Sequence, residues 1–215
     1  MRESDDGFVS IGDELLSDAL RHVTPETVLD IGCGYGRLAY ALKRRGFAGR
    51  YFGLDILPRH IRWLQENFDD RAYRFELVNV RNERYNPRGK LETSDVAFRA
   101  GFSPDLTLFF SVFTHMYERD IEIYLRKVRE IISPKSVVYA TFFLMGGDQA
   151  RRPYRFDHRL NDHCSYHDPG SPLHAIAYDE EWLRNLFDRC GFVCRDFLHK
   201  YQDAAVLAGR FPAAG

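Results

Sequence analysis

Apolar residues fall along this chain in blocks that alternate between helical and strand spacing. Ile11, Leu15, Leu16, Ala19, Leu20 and Val23 recur on one helical face and predict a helix over 10–23, ended by Thr24-Pro25, with residues 1–9 ahead of it as a loose arm. A short apolar run over 27–31 predicts a strand, and Leu38, Ala41 and Leu42 predict a helix over 37–45. A strand over 51–54 follows, then a helix over 58–69 with Pro58 in its first turn and Ile61, Leu64 and Phe68 inward. Phe75 and Leu77 alternate in a strand over 74–80. Residues 82–104 are irregular, with a turn at Asn86-Pro87-Arg88-Gly89 and with Phe98 and Phe102 as anchors. The wholly apolar run 106–111 predicts a central parallel strand. Ile121, Tyr124, Leu125, Val128, Ile131 and Ile132 predict a helix over 119–132, and 136–144 a further strand. Asp179 caps a helix that turns Trp182, Leu183, Leu186 and Phe187 inward, and runs over 192–198 and 204–207 close as a hairpin. Strands and helices alternating at this length predict an α/β fold, a mostly parallel sheet with helices on both faces.

One segment breaks the rhythm. Residues 145–178 are polar, aromatic and rich in His and Arg, with little periodicity. A stretch this long inside a compact domain is functional or mobile.

Composition narrows the classes. At 215 residues the chain suits one domain spanning 1–215. Lys+Arg of 30 against Asp+Glu of 31 gives a net charge of -1, which argues against nucleic acid as a partner. The polar start, Met1-Arg2-Glu3-Ser4-Asp5-Asp6, is no secretory signal, and no apolar run approaches the ~20 residues of a membrane span. The four cysteines lack the paired spacing of a zinc site and read as reduced thiols, so a cytoplasmic location is expected.

Candidate chemistry centres on Val28-Leu29-Asp30-Ile31-Gly32-Cys33-Gly34-Tyr35-Gly36-Arg37-Leu38, a strand end, three glycines at alternate positions and a helix start. Glycine permits both the tight turn and a ligand's close approach. The spacing is Gly-x-Gly-x-Gly, not the dinucleotide pattern. Asp30 lies within the strand end, and Asp55 ends the next apolar run, where an acid can hold two ribose hydroxyls. The plain alternative is a glycine turn with a capping acid.

The stretch resembles motif I and the following acidic position of class I S-adenosylmethionine-dependent methyltransferases. Ser111-Val112-Phe113-Thr114-His115-Met116 is similar to motif IV of their bacterial small-molecule branch. Ile123-Tyr124-Leu125, Thr141-Phe142-Phe143-Leu144, Ala177-Tyr178-Asp179-Glu180 and Gln202-Asp203 follow in the same order, so the resemblance covers residues 8 to 208. It implies a Rossmann-like, doubly wound, seven-stranded sheet. It also implies a cofactor lying across Asp30, Gly32, Gly34, Gly36, Arg37, Asp55, Ile56, Asn79, Val80 and Ser111. That cofactor is S-adenosylmethionine, with S-adenosylhomocysteine as product and no metal. Asn79 stands where the group carries an acid that reads the adenine amino group, and its amide carbonyl can still accept. The base- and amide-methylating relatives carry an Asn/Asp-Pro-Pro-Tyr run that this chain lacks.

The expected reaction is methyl transfer to a small polar acceptor, the hydroxyl of a sugar or natural product. An N-methyltransferase and a non-catalytic cofactor-binding protein stand as alternatives. His115 is the candidate base, and ordering of its own loop is the competing role. Tyr117, Tyr178 and His174 are candidate acceptor contacts. Phe8 and Gly12 could form part of a lid, or pack as a core contact and a cap. The His and Asp residues over 157–174 could bind a metal but match no ligand spacing, and Arg151, Arg152 and Arg155 could bind an acidic acceptor or remain solvated. Oligomeric state stays open.

Overall fold

The structure is a computed structural model that describes residues 5–146 and 153–212, with the side chains of Asp5 and Asp6 outside the description. Arg151 and Arg152 lie outside the described residues. Five helices are described, α1 (Asp5–Leu20), α2 (Arg37–Arg44), α3 (Pro58–Asn67), α4 (Glu118–Arg129) and α5 (Glu180–Arg189). The first five strands are β1 (Thr27–Ile31), β2 (Arg50–Asp55), β3 (Tyr73–Leu77), β4 (Leu106–Phe109) and β5 (Val137–Leu144). They are followed by β6 (His158–Asn161), β7 (Cys164–Tyr166), β8 (Ile176–Tyr178), β9 (Phe192–Leu198) and β10 (Asp203–Gly209).

Strands β3, β2, β1, β4 and β5 lie side by side in parallel. Antiparallel β10 follows β5, and β9 pairs with β10 as the expected hairpin. These seven strands are the Rossmann-like sheet. Side-chain alternation along β1 splits the core: Leu29 and Ile31 pack with α4 and α5 on one face, and Val28 packs with α1, α2 and α3 on the other. Burying Leu38 and Leu42 of α2 contributes roughly 1.5–3 kcal/mol each. Topology reverses between β1 and β4, and the crevice at the carboxyl ends of such strands is where ligands bind.

Three expectations are corrected. The helix before β1 starts at Asp5 rather than at residue 10, because its first turns dock on α2: the Arg37 guanidinium lies 5.3 Å over the Phe8 ring, and Phe8 meets Tyr40 at 6.4 Å. Phe8 and Gly12 therefore pack against α2, and a Cβ on Gly12 would sit 2.9 Å from Arg37 Cγ.

The sheet has ten strands among the described residues, not seven. The extra three come from the aperiodic segment. β6 and β7 form a hairpin, and β8 joins β7 to the end of β5 through Phe143↔Ala177 and Leu144↔Tyr178. Strands of three or four residues carry too few alternations to show in the sequence.

β3 stops at Leu77, short of residue 80. The Val80 N–H bonds to the Val78 carbonyl at 2.7 Å, a three-residue turn that peels Asn79 off the sheet.

Candidate active site

A cavity of about 280 Å³ opens at the carboxyl ends of β1, β2 and β4. Gly32, Asp55, Ile56, Val80, Ser111 and His115 line it, so six of the residues expected from sequence meet around one space. Arg81, Asn82, Tyr85, Thr93, Asp120 and Tyr124 complete its polar wall, with His60 beside Asp55. Of these seven only Tyr124 figured in the sequence, and there as a core residue of its helix. The other six sit in the loop after β3 or in the first turns of α3 and α4, where burial has no periodic signature.

The glycine loop explains the cavity floor. Gly32, Gly34 and Gly36 have φ of 82°, 56° and 76°, the left-handed region open to glycine at little cost. Gly32 also faces Val112, whose Cγ2 would lie 2.4 Å from an added Cβ. Gly36 is the N-cap of α2. Asp55 ties the loop down: its Oδ2 accepts from the Gly34 N–H at 2.8 Å and its Oδ1 from the Leu57 N–H at 2.8 Å. Each carboxylate oxygen keeps a lone pair for a ligand hydroxyl. His60 Nδ1 is buried without a hydrogen-bond partner, 3.7 Å from Asp55 Oδ1.

Ser111 follows β4 with φ of 54°, a strained value for a side-chain-bearing residue. Its N–H donates to Thr141 Oγ1 at 2.9 Å and its hydroxyl to Gln202 Oε1 at 2.9 Å. His115 lies in the short turn Phe113–His115, with Nδ1 3.1 Å from the Leu173 carbonyl and Tyr85 edge-on at 5.3 Å. A carbonyl only accepts, so Nδ1 carries the proton and Nε2 is the basic nitrogen of the neutral ring. Burial pulls the imidazole pKa below its usual value against the pull of the Leu173 and His174 carbonyls, and the charges of Arg84 and His174 push the same way as burial.

Other expected residues lie elsewhere. Asp30 is buried on the α1–α3 side, where Oδ2 accepts from the Tyr51 hydroxyl and Oδ1 has no partner. Arg37 packs on Phe8, and neither it, Gly34 nor Gly36 lines the cavity. Asn79 is outside too: its Oδ1 accepts from Asn86 Nδ2 at 3.1 Å, and its carbonyl takes the N–H groups of Lys90 and Leu91. Tyr178 is fully buried, donates its hydroxyl to the Met116 carbonyl and stacks on Trp182 at 5.6 Å, so it braces the His115 turn rather than meeting a ligand. Tyr117 is the N-cap of α4, and His174 packs against Tyr154 and His167 beside the His115 ring; neither lines the cavity. Among the described residues no His, Cys, Asp and Glu group could hold a metal, and no helix is long and apolar enough to cross a membrane.

Fold and site together define a class I methyltransferase. The methyltransferase-domain family matches residues 8–196, and the chain belongs to it. A curated relative, "Putative methyltransferase Rv1506c" of Mycobacterium tuberculosis, is 42% identical over 48 residues, 22% of this chain. The match spans 29% of that relative's length. The CcbJ methyltransferase of Streptomyces caelestis shares the fold with a TM-score of 0.65 at 13% identity, over 98% of this chain and 94% of that one. The 1,6-didemethyltoxoflavin-N1-methyltransferase of Burkholderia thailandensis, solved with S-adenosylhomocysteine, superposes with a TM-score of 0.60 at 17% identity, over 96% and 79%.

The residues present fit S-adenosylmethionine, the cofactor of this class. A glycine loop in left-handed backbone, a carboxylate at the β2 end and an apolar wall of Ile56, Val80 and Phe98 suit a nucleoside without phosphates.

Proposed function

We propose that the chain transfers a methyl group from S-adenosylmethionine to the hydroxyl of a small polar acceptor, a sugar or natural product. Asp55 would hold the ribose hydroxyls, Ile56 and Val80 the adenine faces, and Gly32 and Ser111 the amino-acid end. Bound there, the cofactor supplies a methyl group already activated on sulfonium. What the protein adds is position and a proton acceptor. His115 takes the hydroxyl proton at Nε2 as the acceptor oxygen becomes an ether. The observation that carries this reading is the Leu173 carbonyl on Nδ1, which fixes the tautomer with a basic Nε2 in a ring that lines the same cavity as Asp55 and Ser111. A net charge of -1 favours a small acceptor over nucleic acid.

Transfer to nitrogen is the second reading, favoured by the toxoflavin relative, an N1-methyltransferase. Calorimetric titration with S-adenosylmethionine and S-adenosylhomocysteine, with NAD as control, tests the cofactor assignment. Saturable binding of both, abolished by Asp55→Ala, is expected. Absence of binding at millimolar ligand by folded protein overturns it. Turnover of a hydroxyl panel against an amine panel then separates the two readings.

A further inference from the structure

We propose that Asp120 is the residue that reads the 6-amino edge of the cofactor's adenine. The proposal rests on the cofactor assignment above and names a residue that belongs to no motif of the chain. Asn79, at the position expected to meet that edge, has its side chain committed to Asn86 and lies outside the cavity. Asp120 lies within the wall, together with its hydrogen-bond partner Thr93.

The backbone explains why this carboxyl is available. Asp120 stands three residues after Tyr117, the N-cap of α4. An acid there can fold back onto the cap's N–H when the cap is Ser or Thr. Tyr117 makes no side-chain cap bond, and Asp120 is held instead by the Thr93 hydroxyl from the opposite loop. Tyr124, one turn further on, lines the same cavity as Asp120 and Asp55, and its hydroxyl is raised mainly by burial, with both acids adding charge. Ile56, Val80 and Phe98 supply apolar surface along the same cavity for a flat base.

The chemistry matches. Adenine presents an amino donor beside the N1 acceptor. Burial raises the Asp120 carboxyl, with Glu92 and Glu83 adding to it and Thr93 and Arg119 opposing. A carboxyl oxygen accepts from that amino group. Hypoxanthine presents an acceptor oxygen where adenine has that donor, so a site built this way rejects it.

The test compares S-adenosylhomocysteine with S-inosylhomocysteine by calorimetric titration of the full chain. Wild type is expected to favour the adenosyl compound by about 30-fold or more, since an unpaired buried polar group costs on the order of 2 kcal/mol. Asp120→Asn is expected to shrink that ratio at least tenfold, because an amide can turn its N–H₂ toward the hypoxanthine oxygen. Thr93→Val, which keeps the carboxyl but loosens it, is expected to shrink the ratio less, and thermal melts confirm that both variants fold. An unchanged ratio in folded Asp120→Asn overturns the proposal. So does a ratio erased by Asn79→Ala instead, or an effect of Asp120→Asn confined to acceptor KM. If wild type binds neither compound, the cofactor assignment itself fails and the proposal with it.

Discussion

Gln202 and Ser111 are tied through the amide oxygen of the former. Gln202 Oε1 accepts from Ser111 Oγ at 2.9 Å and from Thr141 Oγ1 at 2.8 Å, while Thr141 Oγ1 accepts from the Ser111 N–H at 2.9 Å. The link joins the β9–β10 turn to the end of β4. It holds a serine in left-handed backbone at φ 54°, a conformation that costs roughly 1–2 kcal/mol for a residue with a Cβ. Gln202→Leu leaves the Ser111 hydroxyl without its acceptor and the Thr141 hydroxyl with only the Phe109 carbonyl at 3.4 Å, and cofactor affinity is expected to fall about tenfold. Ser111→Gly loses one bond but relieves the strain, so its melting temperature should stay near wild type. Ser111→Ala keeps the strain without the bond and should melt lowest of the three. Equal melting temperatures for Gly and Ala at this position would show that the strain is not felt.

Tyr178 provides a second check on roles assigned by structure. Its buried hydroxyl donates to the Met116 carbonyl, next to His115. Tyr178→Phe leaves that carbonyl unpaired, and a loss of about 1–3 kcal/mol of stability is expected from the urea midpoint. Acceptor KM should be unchanged, because the ring never reaches the cavity. A raised KM at unchanged stability would return Tyr178 to the acceptor site.

The strand-turn-helix corner could be read directly because glycine spacing and apolar period are local properties. β1 has the expected limits, 27–31, and α2 differs by one residue at its end. Gly32, Asp55, Ile56, Val80, Ser111 and His115 converge because each lies at or beyond a strand end, and strand order alone brings strand ends together. Asn79 could not be placed from sequence, since the tight turn at Val78–Val80 depends on hydrogen bonds to the 82–91 loop. Asp120 and Thr93 were hidden for a related reason: one begins a helix and the other lies in a loop, and only tertiary contact puts them in one wall. The β6–β8 addition was invisible because three short strands supply no period to detect.

His115 makes the catalytic reading testable by pH. With its imidazole pKa lowered, mainly by burial, the neutral ring persists to more acidic pH than an exposed histidine allows. The rate with a hydroxyl acceptor should therefore be flat through neutrality and fall only below the usual histidine range. His115→Ala should lower kcat by about 10²–10⁴-fold and abolish that acidic limb, with S-adenosylhomocysteine affinity kept within a few-fold. Full turnover by a variant that still binds cofactor would assign His115 to loop order alone.

Asp30 gives the fold its own pH dependence. Burial pushes its carboxyl from 3.8 up to about 7, opposed by the Tyr51 hydroxyl and reinforced by the Asp55 charge. Between those two values the folded protein holds a proton that the unfolded chain has released. Stability therefore declines as pH rises through this window, and the full penalty is present above it. At ~1.4 kcal/mol per unit, the ceiling is on the order of 4 kcal/mol. Asp30→Asn removes the titration while its amide oxygen can still accept from Tyr51. The melting temperature of Asp30→Asn relative to wild type is thus expected to climb steadily between pH 5 and pH 8. A difference that stays constant across that range would mean that the carboxylate is ionised throughout and that the buried Oδ1 finds a partner in solution.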